Sequence, residues 1–488
     1  MNAVLLAAFA DELAKIAEVT TTLLPHQQRV VSRLQREDQP GLVAIHGLGS
    51  GKTLTSIAAQ DALRMPATVV VPAALRENYE KERAKHLTGE SQPAELATLQ
   101  MAARRGSLPA NPMLIVDEAH RLRESGGKGA KAVADSDAQK RLLLTGSPFY
   151  NRPSDLSQLV NIAAGENVLP ADERAFNSKY VTTQVQKPGF VDRVFRGVQP
   201  GERDVLNPRK ARELREIYGK WTDFHPGSTE NFPEVTRQDV HVPMTRKQVG
   251  IYDALAETAP RHIIEKVKQG LPPNKREVSE LNAFLNAVRQ TTNSTAPFQP
   301  EGGSAEEPKI DMAFQRLQKT LGDNPRAKAV VYSNYLQSGI APYKRRLEAA
   351  KIPYGEFTGE MPDAARQQLV RDYNEGKLRA LLLSSAGGEG LDLKGTRLMQ
   401  LLEPHWNAEK LKQVEGRGAR YMSHSGLPPE EQKVLIERYL AQRPKNFFQR
   451  HGIGSPGLSA DEYLALRSKE KEDLIGQFRE LLPQQRTA

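Results

Sequence analysis

Seven residues constrain this chain more than any others: 47–53 read Gly-Leu-Gly-Ser-Gly-Lys-Thr. They follow an apolar run, Leu42 to Ile45, and open a helix-like stretch, Leu54 to Leu63. In a strand–glycine loop–helix unit, backbone N–H groups point at a phosphate, and the helix N-terminus adds partial positive charge. Lys52 can then reach the outer phosphates of a nucleotide, and the Thr53 hydroxyl can hold magnesium. A second apolar run, Met113 to Val116, ends in Asp117-Glu118-Ala119-His120. Asp117 at a strand end can hold magnesium through water, and Glu118 can orient and deprotonate an attacking water. The two signals in this order imply phosphoryl-transfer chemistry. The full loop pattern wants glycine where this chain has His46. Two readings of that departure stand: a local substitution that leaves the loop intact, and a residue lining the nucleotide pocket.

A chain of 488 residues is too long for one core, so two or three domains are expected. Residues 41–146 alternate short apolar runs (Leu42–Ile45, Thr68–Val71, Met113–Val116, Leu142–Leu144) with helical stretches. That is the pattern of a mostly parallel sheet covered by helices. From Tyr150 to about Pro300 the chain becomes charged, helical in patches and broken by Pro and Gly, and a polar stretch from Asn293 to Pro308 closes it. Alternation resumes with strands at Lys328–Tyr332, Tyr354–Phe357, Ala380–Leu383 and Arg397–Leu402. The expected helices between them are Gln337–Ala350, Asp363–Tyr373 and Ala408–Gly416. The reading gives an α/β fold of five parts: an N-terminal amphipathic helix (1–20), a first α/β lobe (21–150), a largely helical insertion (151–303), a second α/β lobe (304–445) and a helical tail (446–488).

No apolar run approaches the ~18 residues of a membrane span. The start is apolar but lacks a basic leader, and Asp11 and Glu12 follow it, which argues against a signal peptide. Leu5, Phe9, Leu13 and Ile16 fall at helical spacing, so Met1 to Ile16 reads as a helix that packs on the first domain or docks a protein partner. The tail is the other candidate for such docking. The absence of cysteine excludes disulfides, cysteine zinc sites and iron–sulfur clusters. A formal charge of +9 suits a polyanionic partner, most simply nucleic acid.

Gln413-Val-Glu-Gly-Arg417-Gly-Ala-Arg420 adds two arginines three apart, expected on one helix face, where they would stabilise charge in phosphoryl transfer. Taken in order, the segments match the superfamily 2 helicases and most resemble the Swi/Snf-like DNA translocases. Leu24-Pro25-His26-Gln27 resembles their adenine-reading motif, and Gly49 to Thr53 is motif I. Val70-Val71-Pro72, with Asn78, Tyr79 and Glu82, fits motif Ia. Asp117 to His120 is motif II, spelled as in a DEAH box. Leu144 to Pro148 with Asn151 is motif III. Gln248 to Tyr252, Arg289-Gln290 and Asn293 resemble the run before the second lobe. Val331 to Asn334 fits motif IV, Tyr354, Gly359 and Arg366 the next block, Ser384 to Leu393 motif V, and Trp406-Asn407 with Gln413 to Arg420 motif VI.

The resemblance covers about residues 20–440. It implies two RecA-like lobes with ATP and Mg2+ in the cleft between them. It implies catalytic roles for Lys52, Asp117, Glu118, Arg417 and Arg420. Nucleotide contacts would come from Gln27, Gly49, Ser50, Gly51, Lys52, Thr53, Gly390, Asp392 and Gln413, with Thr53 and Asp117 holding the metal. Nucleic acid, double-stranded DNA first, would be tracked through its phosphates by Pro72, Thr145, Ser333, Ser385 and Gly388, and Thr145 with Ser147 would link nucleotide state to that track. Asp392 stands where the family usually has Asn, Ala408 where it usually has Pro, and the segment after Arg420 is irregular. These features resemble a compact bacterial or viral member, expected in the cytosol of a bacterium or an infected cell, or in the nucleus of a eukaryote. Two other functions fit the same motifs: a strand-separating or annealing helicase for DNA or RNA, and a transcription-associated factor that uses ATP as a switch.

Overall fold

A computed structural model describes residues 18–19, 21–47, 49–88, 91–123, 127–149, 152–186, 200–227, 230, 232–274, 276–299, 303–357, 361–384, 391–405, 414–420, 422–445 and 457–483. The expected helix from Met1 to Ile16 lies outside them. The chain forms two compact units: Met1–Thr182 with Asp204–Ser228 and Leu474–Ala488, and Thr183–Arg203 with Thr229–Asp473.

The first unit is built on six strands: β1 (Gly41–His46), β2 (Ala67–Val70), β3 (Ala94–Ala97), β4 (Met113–Val116), β5 (Lys140–Thr145) and β6 (Thr222–His225). Their order across the sheet is β6-β1-β5-β4-β2-β3, and every pairing is parallel. A parallel sheet needs a crossover for each strand and is covered on both faces, so its central strands read as unbroken apolar runs. β1 and β4 are buried at every position. Side chains alternate between two cores. Val43, Ile45, Leu114, Val116 and Leu143 face α3 (Asp155–Ala164) and α4 (Ala211–Trp221). Leu42, Ala44, Met113, Ile115, Leu142 and Leu144 face α1 (Pro25–Leu34) and α2 (Lys52–Leu63).

The second unit repeats the plan with β7 (Glu234–Pro243), β8 (Lys328–Ser333), β9 (Tyr354–Phe357), β10 (Ala380–Ser384), β11 (Thr396–Leu401) and β12 (Lys433–Gln442). The order is β7-β12-β11-β8-β10-β9, again all parallel. One face packs on α6 (Pro308–Asp323) through Ile310, Ala313 and Leu317. A further core gathers Leu281, Phe284 and Val288 of α5 (Val278–Asn293) with Tyr463 and Leu464 of α7 (Ala460–Arg479). Within the first unit, Ile475, Phe478 and Leu481 join the core of that unit.

The segment 151–303, expected as a helical insertion, carries helices but also supplies an edge strand to each sheet, β6 and β7. β7 has charged and polar side chains over most of its length (Glu-Val-Thr-Arg-Gln-Asp) and is largely exposed until Val240. An edge strand has only one paired side and less apolar cover, so its sequence does not read as a strand. Thr245 and Gln248 close a capping box that starts the helix Arg246–Ala256, the Ser/Thr-x-x-Gln signature of a helix start. Among the described residues, no helix is long and apolar enough to cross a membrane.

Leu143 lies in a central strand with no exposed surface. Leu143→Ala is expected to cost about 2–5 kcal/mol through lost burial and a residual cavity. Urea denaturation should show the first unit's transition moving to lower denaturant at an unchanged slope.

Candidate active site

The strands of the first sheet all end on one edge, and the loops that follow β1, β2, β4 and β5 carry the residues singled out by sequence. The loop after β1 turns on glycine. Gly51 has φ +70° and leads into α2, and a Cβ there would meet the Gln27 amide at 2.5 Å. A Cβ on Gly47 would meet the Pro226 carbonyl at 2.1 Å. Gly49 shares the left-handed region, at φ +73°. Ser50 Oγ donates to Gly47 O (2.8 Å), and Lys52 Nζ donates to His46 O (3.2 Å) and Gly47 O (3.4 Å). The lysine therefore lies back along the loop its charge would serve. Thr53 is half-buried one residue on, in the first turn of α2.

Gln27 braces this loop. Its Nε2 donates to Ser50 O and Gly51 O, both at 3.2 Å, while its Oε1 accepts the Leu24 N–H at 2.9 Å. The side chain is 1% exposed, so the hydrogen bonds observed fix the loop rather than face a base.

Motif II ends β4. Asp117 Oδ1 accepts the Glu118 N–H at 2.9 Å. Burial, and then the charge of Glu118, push the Asp117 carboxyl above its ordinary range, and Lys52 counters them. For Glu118, burial pushes upward too, but the hydrogen bond and charge of His120, with help from Lys52, hold it below its ordinary range. Lys52, Asp117, Glu118 and His120 are thus one electrostatic group. Glu118 also sits at φ +50°, a left-handed conformation unfavourable for a side chain of this size. Such strain costs of order 1–3 kcal/mol and collects at functional positions. His120 Nδ1 lies 3.3 Å from Glu118 Oε2 and 3.5 Å from Thr145 Oγ1, which in turn accepts the Ser147 N–H at 3.1 Å. A continuous path runs from the candidate base to motif III. Pro72 lines a cavity of about 40 Å³ together with Asp117 and Glu118, so motif Ia adjoins motif II. Thr145 is wholly buried and its hydroxyl is engaged within the protein.

In the second unit, residues 414–418 are helical and contain Arg417. Arg420 lies beyond them, contrary to the expectation of one shared helix face. The Ala419 N–H makes a helical bond to Glu415 O, but the Arg420 N–H turns to Ser423 Oγ (3.1 Å), which ends the ladder. The Arg420 guanidinium instead reaches Leu391 O at 3.2 Å and lies 3.7 Å from the Asp392 carboxylate, joining motifs V and VI. Ser333 is buried, and its hydroxyl donates to Glu403 Oε1 at 2.6 Å. Glu403 Oε2 also accepts the Asn334 N–H (2.8 Å), and Oε1 accepts from Asn293 Nδ2. Glu403 was not anticipated. It lies two residues past β11, outside any motif, and only its place beside an apolar strand end marked it. Ser385, Gly388, Gly390 and Gln413 fall outside the described residues.

Two parallel six-stranded lobes, with a phosphate loop and a paired Asp-Glu on one and arginines on the other, define a RecA-like nucleotide hydrolase of two lobes. The SNF2-related domain profile matches residues 106–296, and the Helicase conserved C-terminal domain profile matches 312–422. The chain carries a superfamily 2 helicase core of Swi/Snf-like type, homologous to SNF2-related and viral helicases. It is an ATP-dependent nucleic-acid motor of the helicase and translocase type. It is 29% identical over 94% of its length to a protein of Acanthamoeba polyphaga mimivirus, 96% of which is covered, named for an inferred ATP-dependent RNA helicase activity. An African swine fever virus protein named as a homolog of termination factor NPH-I is 23% identical, with 92% of this chain and 76% of that protein covered. The solved Sulfolobus solfataricus SWI2/SNF2 ATPase core in complex with dsDNA is also similar, at 17% identity and a TM-score of 0.35 over 96% of this chain and 98% of that one.

His225, at the end of β6, is held down to about 4, by burial first and then by the charges of His26 and His46. His26 is lowered as well, chiefly by burial. Both imidazoles take up protons more readily in the unfolded chain, so their contribution is complete above about pH 6.5 and is lost as pH falls toward 4. Thermal melts taken from about pH 7 down to about pH 4.5 should show a falling transition temperature, and His225→Gln should flatten that slope.

Proposed function

We propose that this motor is a double-stranded DNA translocase that remodels nucleoprotein complexes. The observation that carries the reading is the SNF2-related match, which spans motif II, motif III and the run before the second lobe. Supporting it, Pro72, Thr145 and Ser333 sit at strand ends, and none of the residues offered for the track has a long base-reading side chain, which favours sequence-independent contact with phosphates. Pro72 and, beyond the described residues, Ser385 and Gly388 are the proposed contacts. Ser333 and Thr145 are proposed to act through their backbone, since their hydroxyls are already engaged.

In the proposed hydrolysis, the loop N–H groups and Lys52 bind the phosphates. The Thr53 hydroxyl and the Asp117 carboxylate are hard oxygen donors, which suits Mg2+. That ion would neutralise phosphate charge. Glu118, ionised at neutral pH, accepts a proton from water as the water oxygen bonds to the terminal phosphorus and the bond to the ADP oxygen breaks. His120 orients Glu118, and Thr145 and Ser147 carry the change onward. Arg417 and Arg420 are proposed to stabilise the charge on the transferring group, with Gly390, Asp392 and Gln413 near the nucleotide.

A second reading, a transcription-associated ATPase, is favoured by the name of the African swine fever virus relative.

Steady-state ATPase with duplex DNA, single-stranded DNA and RNA separates these readings. The translocase reading expects the largest stimulation by duplex DNA, steeply reduced by salt, and displacement of a triplex strand. A preference for single strands or RNA would overturn it. Glu118→Gln is expected to lower kcat by roughly 10²–10⁴-fold while nucleotide binding persists. Lys52→Ala is expected to lose both.

A further inference from the structure

β6 comes from a part of the chain that no motif marks, yet it pairs with β1 directly beneath the phosphate loop. Thr222 to His225 stand opposite Val43 to His46. The carbonyl of His225 accepts the N–H of Gly47, the first residue of the loop, at 2.9 Å. Pro226 follows so closely that only glycine fits at 47.

Asp223 is the hub of this contact. Its carboxylate is 3% exposed and carries three hydrogen bonds: Arg29 Nε to Oδ2 (2.5 Å), Arg29 Nη2 to Oδ1 (2.8 Å) and His46 Nε2 to Oδ1 (2.8 Å). Burial raises the Asp223 carboxyl, but the His46 and Arg29 hydrogen bonds outweigh it and keep it ionised. A carboxylate accepts only, so His46 presents Nε2–H to it. His46 is wholly buried, and its Nδ1 has no hydrogen-bond partner among the described residues. Among the described residues the ring's one hydrogen bond is thus to Asp223, and its own carbonyl receives Lys52 Nζ. His26 completes the assembly. Its Nε2 donates to Ser50 O at 2.8 Å, and its ring stacks on His225 at 3.9 Å, with an interplanar angle of 5°. The three histidine rings lie face to face and edge to face, so they pack against one another.

We propose that Asp223 is a positioning residue for ATP hydrolysis: through His46, and through the strand that offers its carbonyl to Gly47, it sets the placement of the phosphate loop and of Lys52. The inference rests on the reading of that loop as the nucleotide site. It also gives His46, which replaces the glycine of the usual pattern, a role of its own beneath the loop.

The test compares Asp223→Asn, His46→Gln and the double variant, in the full chain, by ATP KM and kcat, by binding of a fluorescent ADP analogue, and by melting temperature. Asp223→Asn keeps the shape but loses the charge and one acceptor. The expected result is a KM raised roughly tenfold or more with a smaller change in kcat, and weaker ADP-analogue binding. His46→Gln should do the same, and the double variant should be little worse than either single one, since both break one linkage. Gln39→Ala is the structural control. Gln39 ties the start of β1 to the end of α4 through Gly41 O (2.6 Å) and Lys220 O (3.2 Å) and touches neither Asp223 nor the loop. It should lower the melting temperature with KM unchanged. If Asp223→Asn and His46→Gln lower the melting temperature and leave KM and ADP-analogue binding intact, or if their effects on affinity add fully, the proposal is overturned. Wild-type turnover by Lys52→Ala would instead strike at the nucleotide-site reading itself.

Discussion

In an all-parallel sheet every strand leaves by the same edge, and each return needs a crossover. That single constraint arranges most of what this protein does. It puts Gly47, Pro72, Asp117 and Gly146 on the edge of one sheet, although they are spread over a hundred residues of sequence. It does the same for Asn334 and Leu402 in the other sheet. The chemistry requires short loops held rigidly, and fully buried strands such as Gly41–His46 and Lys328–Ser333 provide the rigidity.

The motifs act through contacts with one another as much as through their own side chains. Gln27 is bonded to the loop carbonyls, Lys52 lies on His46 O, Glu118 is joined through His120 to Thr145, and Arg420 is joined to Asp392. A motif list treats these as separate parts. The geometry makes them linked members of two groups, one in each lobe, so that a change at one member is felt at its neighbours.

Much of the fold was legible because buried parallel strands are apolar without a break. Met113–Val116 and Tyr354–Phe357 were read to the residue, and Ala380–Ser384 to within one. The strands that escaped notice lie mostly at edges. Ala94–Ala97 and Glu234–Pro243 are half-exposed and carry polar residues, and Thr222–His225 is four residues long with an aspartate in it. The ten-residue Lys433–Gln442 does not read as a strand for another reason, since Glu437 and Arg438 interrupt its apolar run, the first satisfied by buried Gln400 and the second paired with Asp239 near the surface. The loop residues proposed for catalysis stand out in the sequence because loop chemistry fixes their spacing. Asp223 and Glu403 do not, because a buried carboxylate is defined by the partners that tertiary structure brings to it, and those partners lie 177 and 70 residues away.

Glu118 brings two demands into conflict at one position. The proposed chemistry asks for a carboxylate on a side chain long enough to meet a water, while the backbone, at φ +50°, favours glycine, asparagine or aspartate. Every replacement that would relax the chain there removes the carboxylate, neutralises it or draws it back. Ordinary selection for stability therefore has no silent route at this residue. A screen for more stable variants of this protein would tend to find its way to Glu118, and, on the role proposed for that carboxylate, each improvement it found there would be an enzyme that holds its nucleotide and no longer spends it.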